Sequence, residues 1–166
     1  STQLNSSPQS KELEAWEEFF NGSSPKNRLV SRYLYEHFYY AHLYFSGQKN
    51  VGNNKIFYRL VRSKTPSPEP VEEIAARLPY DGIDGLPIYY RFKEYPGTIV
   101  AKTHLPYELN PTKLERLKRL FLSQNWDIAE EQLPDYDPVR SANPFLTFQA
   151  IPPQARYQFL LDDAGY

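Results

Sequence analysis

The chain has 166 residues, of which 40% are hydrophobic and 23% charged, which suits one compact domain and argues against wholesale disorder. The formal net charge is −1, so the composition lacks the basic surplus typical of proteins that bind nucleic acid or anionic membranes. Cysteine is absent, which excludes disulfides, thiolate nucleophiles and cysteine-based zinc sites.

The start of the chain does not look like the start of a gene product. Methionine is absent everywhere, including position 1, and the opening STQLNSSPQS has neither the basic start nor the apolar run of a signal peptide. No stretch approaches the roughly 20 apolar residues of a membrane helix. We expect residues 1–166 to form a single domain, which is either an excised piece of a longer protein or a processed protein.

Two helices are predicted in the first third of the chain. The first follows Ser7, a suitable N-cap, and begins at Pro8, because proline fits the first helical position. The second is predicted in the same way, with Ser24 as its cap, and is expected to run from Pro25 to Phe45.

Two apolar stripes run along the second predicted helix at helical spacing. The first stripe contains Leu29, Tyr33, His37, Tyr40 and Tyr44, and the second contains Val30, Leu34, Phe38, Ala41 and Phe45. A helix with two apolar faces is usually covered on both sides. The pattern therefore predicts a long, aromatic-rich central helix.

The rest of the chain mixes strand and helix patterns. Strands are predicted at residues 56–62, 87–93 and 98–104, the last two forming a hairpin across the turn EYPG. Three further helices are predicted. One spans residues 71–77, a second begins after Asn110, which is its N-cap, and the third is the final segment PPQARYQFLLDDA. The expected fold class is α+β, with a small antiparallel sheet packed against the long central helix and additional helices.

The histidines do not predict a metal site. His37 and His42 are five residues apart, which on a helix separates their directions by roughly 140°. A helical zinc pair uses a spacing of four, so we expect each histidine to be packed or hydrogen-bonded. Arg32 is placed to pair with Glu36 one turn later. The adjacent Asp162 and Asp163 diverge on a helix and predict no acid–base couple.

The tyrosines admit two interpretations. They form either a core whose hydroxyls find hydrogen-bond partners, or a groove of rings and hydroxyls suited to an acyl chain with a polar head. The segment KTHLPYE ends a predicted strand, where side chains either converge on a ligand or are simply solvated. The candidate binding residues are His104, His37, Tyr33, Tyr40, Tyr44, Lys102 and Tyr107. Among the histidines, His104 is the first candidate for contacting a ligand, because it lies where a predicted strand passes into a loop. His37 is the second, since it lies within the tyrosine stripe.

Several long phrases carry a resemblance to a known family. They are YLYEHFYYAHLYF, FYRLVRSKTP, IYYRF, KTHLPYEL and NPFLTFQAIPPQARYQFLLDDA, in this order. Together they resemble the bacterial fatty acid cis/trans isomerases, over a region from about Arg28 to Ala164.

The resemblance implies a periplasmic c-type haem enzyme. Members of this family convert cis double bonds in the acyl chains of membrane phospholipids, such as those of 9-hexadecenoic acid, to trans. Their haem motif, two cysteines followed by histidine, has no match in this chain. The resemblance therefore implies haem c attached outside these residues, no haem or activity in the isolated chain, and no catalytic residue that can be assigned here.

Two other functions stay open from the sequence. The chain is alternatively a non-catalytic lipid-binding or structural module of the same protein, which supports the haem domain or docks it to the membrane surface. The third possibility is an unrelated aromatic-rich domain that binds a sugar or another small ligand. Neither alternative involves nucleic acid.

Overall fold

The computed structural model describes residues 8–48, 55–83, 87–96 and 106–165. Helices and strands follow one another along these parts of the chain in an α+β arrangement, as predicted. The α-helices are α1 (Pro8–Phe20), α2 (Pro25–Phe38), α3 (Pro111–Leu117), α4 (Pro138–Ser141), α5 (Pro144–Thr147) and α6 (Pro153–Asp163). The strands are β1 (His42–Phe45), β2 (Tyr58–Ser63), β3 (Tyr89–Glu94) and β4 (Pro106–Leu109). A π-helical turn, Lys118–Leu122, continues α3, and a 3-10 turn spans Glu130–Gln132.

The four strands form one mixed sheet in the order β3-β2-β1-β4. Strand β2 pairs antiparallel with β3 and with β1, whereas β4 pairs parallel to β1. The sheet is therefore not purely antiparallel as predicted. The strands expected near 56–62 and 87–93 are confirmed as the β2–β3 pair, but the strand expected at 98–104 lies outside the described residues, as does part of its hairpin turn.

Helix starts follow the local capping signals. The Ser24 side chain accepts a hydrogen bond from the Asn27 backbone at 3.1 Å, and Asn110 accepts one from Lys113 at 2.7 Å. Both caps were predicted, because serine and asparagine satisfy backbone N–H groups that lack helical partners. The predicted cap Ser7 lies outside the described residues. Among the helices that the structure describes, none is long and apolar enough to cross a membrane.

Helix α1 covers the edge strand β3. The Asn21 side chain donates to the Tyr90 carbonyl and accepts from the Tyr90 N–H, both at 2.9 Å. One turn earlier, the Glu17 carboxylate accepts from the Phe92 N–H at 3.1 Å. These bonds satisfy backbone groups of β3 that have no strand beside them, which protects an exposed sheet edge from pairing with another chain.

The long central helix predicted from Pro25 to Phe45 is wrong in its second half. Helix α2 ends at Phe38, and the chain turns through Tyr39 and Tyr40 into strand β1. Leu43 and Phe45 are buried while their neighbours are only half-buried, the alternation typical of a strand. No glycine or proline breaks the helix. The break follows from pairing, because β1 is the strand that joins β2 to β4.

The helix predicted at residues 71–77 is also wrong. This segment runs alongside the end of β2, where Glu73 forms an isolated bridge with Ser63. Ile74 donates to the Arg62 carbonyl at 2.8 Å, and Lys64 donates to that of Glu72 at 2.9 Å. Because its backbone groups pair with the sheet, tertiary contacts override the local helical pattern.

Candidate functional site

Two side chains from distant parts of the chain meet at Asp163, the last residue of α6. His37, in the last turn of α2, places its Nε2 at 2.7 Å from Asp163 Oδ2. Tyr107, on β4, donates its hydroxyl to Asp163 Oδ1. We call His37, Tyr107 and Asp163 the Asp163 cluster. The His37 and Asp163 side chains are 28% and 18% exposed, so the cluster is partly shielded from water.

The electrostatics of the cluster keep Asp163 ionised. Burial would raise the Asp163 pKa, but hydrogen bonds from His37 and Tyr107, with the charges of His37 and Lys113, lower the pKa below its ordinary value. An ionised carboxylate only accepts hydrogen bonds, so His37 Nε2 carries the donated hydrogen. In the neutral ring, Nδ1 is then left as an acceptor.

The pKa values of Tyr107 and Lys113, which lie around Asp163, are shifted as well. Burial and the hydrogen bond to Asp163 raise the pKa of Tyr107, so its hydroxyl stays protonated and acts as a donor. Burial lowers the pKa of Lys113, although Asp163 and Glu108 oppose this. The Lys113 ammonium lies 4.0 Å from the centre of the Tyr107 ring, a cation–π geometry. The cluster therefore combines one fixed negative charge with fixed donors.

Aromatic rings surround the apolar side of the cluster. The His37 ring centre lies 4.7 Å from that of Phe159, and the Tyr107 ring centre lies 5.0 Å from that of Phe38. Tyr33, one turn before His37, packs edge-on against Phe148 at 5.2 Å. Burial also raises the pKa of the Tyr33 hydroxyl. The polar groups of the Asp163 cluster are therefore packed on one side against aromatic rings.

Two cavities flank the cluster. One, of about 270 Å³, is lined by Asp163, Tyr107 and Phe159 among others. The other, of about 360 Å³, is lined by His37, Tyr33 and other mainly apolar side chains. The His37–Asp163 hydrogen bond therefore links a residue that lines one cavity to a residue that lines the other. The volume of each cavity is close to that of a small-ligand pocket.

Glu36 lines the second cavity with an unsatisfied carboxyl group. Its buried Oε2 has no hydrogen-bond partner within the described parts of the chain. Burial raises the Glu36 pKa from its ordinary value of 4.5 to about 7, although Arg32 and Arg62 pull it down. The predicted Arg32–Glu36 ion pair is absent from the described structure, because Arg32 bonds instead to Pro134, Asp135 and Ser141.

We expect Glu36 to make stability depend on pH. Between pH 4.5 and about 7 the unfolded chain loses the Glu36 proton while the folded chain keeps it. The folded state then binds more protons, so its stability falls as pH rises through this window. Glu36→Gln removes the titration and should gain stability relative to wild type from pH 4.5 to 8. Urea unfolding at several pH values measures the difference.

The exposed Glu131 gives the matched control. Glu131→Gln makes the same chemical change at a site without burial and should show no comparable gain over this pH range. A constant difference between wild type and Glu36→Gln at every pH would contradict the proposed protonation of Glu36.

The structure separates the predicted binding residues into three groups. Tyr33, His37 and Tyr107 lie together around Asp163 and Phe159. Tyr40 and Tyr44 were expected on the same helix face as His37, but both come after the end of α2 and lie elsewhere. The remaining two, Lys102 and His104, lie outside the described residues.

Tyr40 and Tyr44 have ordinary surroundings. The Tyr40 side chain is 72% exposed, and its ring packs edge-on against the neighbouring Tyr39 ring. Tyr44 lies on the sheet face opposite Leu43, where its hydroxyl donates to Glu108 at 3.3 Å and Lys55 sits over its ring. Neither tyrosine extends the Asp163 cluster.

Sequence reasoning missed Asp163 and Glu36. Asp162 and Asp163 do diverge as predicted, because Asp162 accepts from Arg116 at 2.9 Å while Asp163 faces His37. The signal that could have found Asp163 was its spacing from Phe159, since residues at i and i+4 share one face of α6. Glu36 gave no comparable signal, since its burial comes from side chains distant in sequence.

The residues present do not fit a covalently attached haem. The chain has no cysteine to form the thioether bonds. His37 is committed to Asp163, and the His42 ring stacks on Tyr95 with centres 4.6 Å apart. No group of three or more histidine or acidic side chains suited to a metal ion occurs in the described ranges.

Comparison with known proteins identifies one family. The family model described as "Fatty acid cis/trans isomerase (CTI)" matches residues 1–166, the whole of the chain. The stretch whose phrases resemble this family, from about Arg28 to Ala164, lies within the match. No curated protein and no solved structure matches the chain.

Proposed function

Since the chain belongs to the fatty acid cis/trans isomerase family, we propose that it is a segment of an enzyme that converts cis double bonds in the acyl chains of membrane phospholipids to trans. The family match over all 166 residues is the observation that carries this proposal. Haem is supplied by a part of the protein outside these residues, because the chain has no cysteine to attach it. The protein works in the periplasm, at the membrane surface.

The geometry supports a positioning role for this segment. An acyl chain needs an apolar wall, and the rings of Phe148, Phe159 and Tyr33 provide one beside the cavities. A polar group of the substrate would meet the imidazole of His37 or the hydroxyl of Tyr107 at the end of that wall. Holding the chain in one orientation, away from water, is the protein's contribution when a cofactor supplies the chemistry.

Asp163 acts on the substrate only through its two partners. Its carboxylate fixes the ring of His37 and the hydroxyl of Tyr107 at the same time. We therefore assign Asp163 as a positioning residue. Its removal would leave both partners free to rotate without opening the fold.

Asp163→Asn is expected to lower isomerase turnover by on the order of 10- to 100-fold, the size of effect that a small misplacement produces. The amide has one acceptor oxygen, so it loses one of the two hydrogen bonds and the negative charge. The measurement is the trans-to-cis ratio of 9-hexadecenoyl chains, by gas chromatography, in the haem-loaded full-length protein. Thermal unfolding should change little.

Asp162→Asn is the matched control, since Asp162 also accepts two hydrogen bonds, from Arg116 and Gln158, but faces away from His37. Its turnover should equal that of wild type. If Asp163→Asn keeps full turnover but loses binding to phospholipid vesicles, the chain is instead a non-catalytic lipid-binding module. A full-length, haem-loaded protein with no isomerase activity on these chains would refute the proposed function itself.

A further inference from the structure

Two buried arginines, Arg32 on α2 and Arg62 on β2, have no carboxylate partner in the described parts of the chain. Arg32 is 5% exposed and Arg62 is 1% exposed. Neither forms an ion pair in the described parts of the chain. A buried charge is costly unless it is paired and hydrogen-bonded.

The guanidinium group of Arg32 is held by hydrogen bonds, but not all of its N–H groups have an acceptor in the described structure. Its Nη1 donates to the carbonyls of Pro134 at 3.0 Å and Asp135 at 2.9 Å, and its Nη2 donates to Ser141 Oγ at 3.2 Å. The ring of Tyr136 lies 3.9 Å from the guanidinium carbon. The buried Nε–H has no acceptor among the described residues. All of these partners are neutral, so the positive charge persists.

Arg62 adds a second positive charge behind the first. Its Nη1 donates to the Asp81 carbonyl at 2.8 Å, and its Nε also lacks an acceptor within the described ranges. The Asp81 carboxylate accepts instead from the backbone of Arg77 and Leu78. Tyr136 lies 5.9 Å from the Arg62 guanidinium carbon, so one ring stands near both charges.

Glu36 does not neutralise this pair. Both arginines pull its pKa down, but burial outweighs them, and the carboxyl is only partly ionised near pH 7. It forms no ion pair with either arginine in the described structure. The local charge therefore stays positive at neutral pH.

A cavity of about 470 Å³ opens onto Arg32. Apolar side chains such as Phe20, Leu29, Ile88 and Leu133 form much of its wall. A second arginine at the cavity, Arg28, has its charge paired with Glu130 at 2.6 Å. The space is of the size of small-ligand pockets, which are mostly apolar with a few placed polar groups. Arg32 is the buried, unpaired cation among its lining residues in the described chain.

We propose that this cavity binds the anionic group of an amphiphile, a carboxylate or a phosphate monoester, with Arg32 as its direct contact and the apolar wall holding its aliphatic tail. Arginine suits this role because its N–H fork matches the oxygens of carboxylates and phosphates. Arg62 adds a second positive charge near the same Tyr136 ring. The choice of an aliphatic tail rests on the proposed function, whereas the choice of an anion rests on the two arginines.

The test compares charged and neutral probes on the wild-type chain by titration calorimetry, below the concentrations at which the probes form micelles. The probes are 9-hexadecenoate, its methyl ester, a monoacylglycerol phosphate and inorganic phosphate. At least one charged amphiphile should bind about tenfold or more tightly than the ester, as expected for a charge-assisted hydrogen bond. The preferred charged probe identifies a free fatty acid or a phospholipid-type head as the source.

Variants locate the site. Arg32→Gln should abolish the preference for charged probes over the ester, and Arg32→Lys should weaken it, since lysine keeps the charge but loses the fork. The control Arg119→Gln removes one positive charge from an exposed position and should leave binding unchanged. Circular dichroism selects the variants that fold.

Three results would overturn the proposal. They are equal binding of ester and carboxylate to wild type, unchanged preference in a folded Arg32→Gln variant, and inorganic phosphate binding as tightly as the monoacylglycerol phosphate. The first and third need only the wild-type chain, so the proposal is tested even if a variant misfolds. Because none of these readouts uses isomerase turnover, their failure is distinguishable from failure of the proposed function.

Discussion

Phe38→Ala is expected to lower the free energy of unfolding by about 3–5 kcal/mol, the cost of deleting a buried phenylalanine ring. Phe38 is the last residue of α2 and is 1% exposed. Its ring contacts the rings of His37, Tyr107 and Phe159, so its loss leaves a cavity beside the Asp163 cluster. Urea unfolding followed by far-ultraviolet circular dichroism measures the change.

Tyr40→Ala is the matched control for Phe38→Ala. It removes an aromatic ring two residues later, but from a side chain that is 72% exposed. Its expected effect is within about 0.5 kcal/mol, as for most surface substitutions. Similar losses for the two variants would contradict the turn at Tyr39 and Tyr40 and favour a helix that continues beyond Phe38.

Glu17→Ala is also expected to destabilise the fold by about 3–5 kcal/mol, because it leaves a buried guanidinium group without its counter-charge. The Glu17 carboxylate accepts from Arg91 Nε at 3.1 Å through both oxygens, and both side chains are buried. The same carboxylate holds the Phe92 N–H of the edge strand β3. Its loss therefore loosens α1 from the sheet. Guanidinium chloride unfolding measures the effect.

Glu18→Ala tests whether the loss of stability expected for Glu17→Ala depends on the burial of Glu17. Glu18 is the next residue on α1 and is exposed, so its removal should cost little. The double variant Glu17→Leu/Arg91→Met should be less destabilised than the sum of the two single variants, since a buried ion pair is often replaceable by apolar residues. Additive losses in the double variant would show that the two charges do not stabilise each other.

Helix α2 connects the two proposed sites. Tyr33 and His37 lie one turn apart on the stripe that faces α6, and Arg32 and Glu36 lie one turn apart on the adjacent stripe. The Asp163 cluster and the proposed anion site therefore both take side chains from one rigid element. Sites on helices hold their side chains more accurately than sites on loops do.

Local signals in the sequence were sufficient for much of the fold. The helices that start at Pro25 and Pro111 follow capping residues, and the helix at Pro8 starts at a proline as predicted, because these preferences depend only on nearby backbone geometry. The alternation in YRLVRS likewise predicts β2 correctly. The long phrases that resemble the isomerase family agree with the match over the whole chain.

Contacts between distant parts of the chain set the end of the second helix and bring the polar groups of the sites together. The residues from Arg32 to Phe45 have helical spacing throughout, yet His42–Phe45 becomes a strand because β4, more than 60 residues later, pairs with it. Asp163 meets Tyr107 across 56 residues and His37 across 126. The α+β class, the helix starts at Pro25 and Pro111 and the family could be predicted from local sequence patterns. The Asp163 cluster and the unpaired Arg32 could not. The reason is that pairing and burial depend on side chains that are distant in sequence, which local periodicity does not bring together.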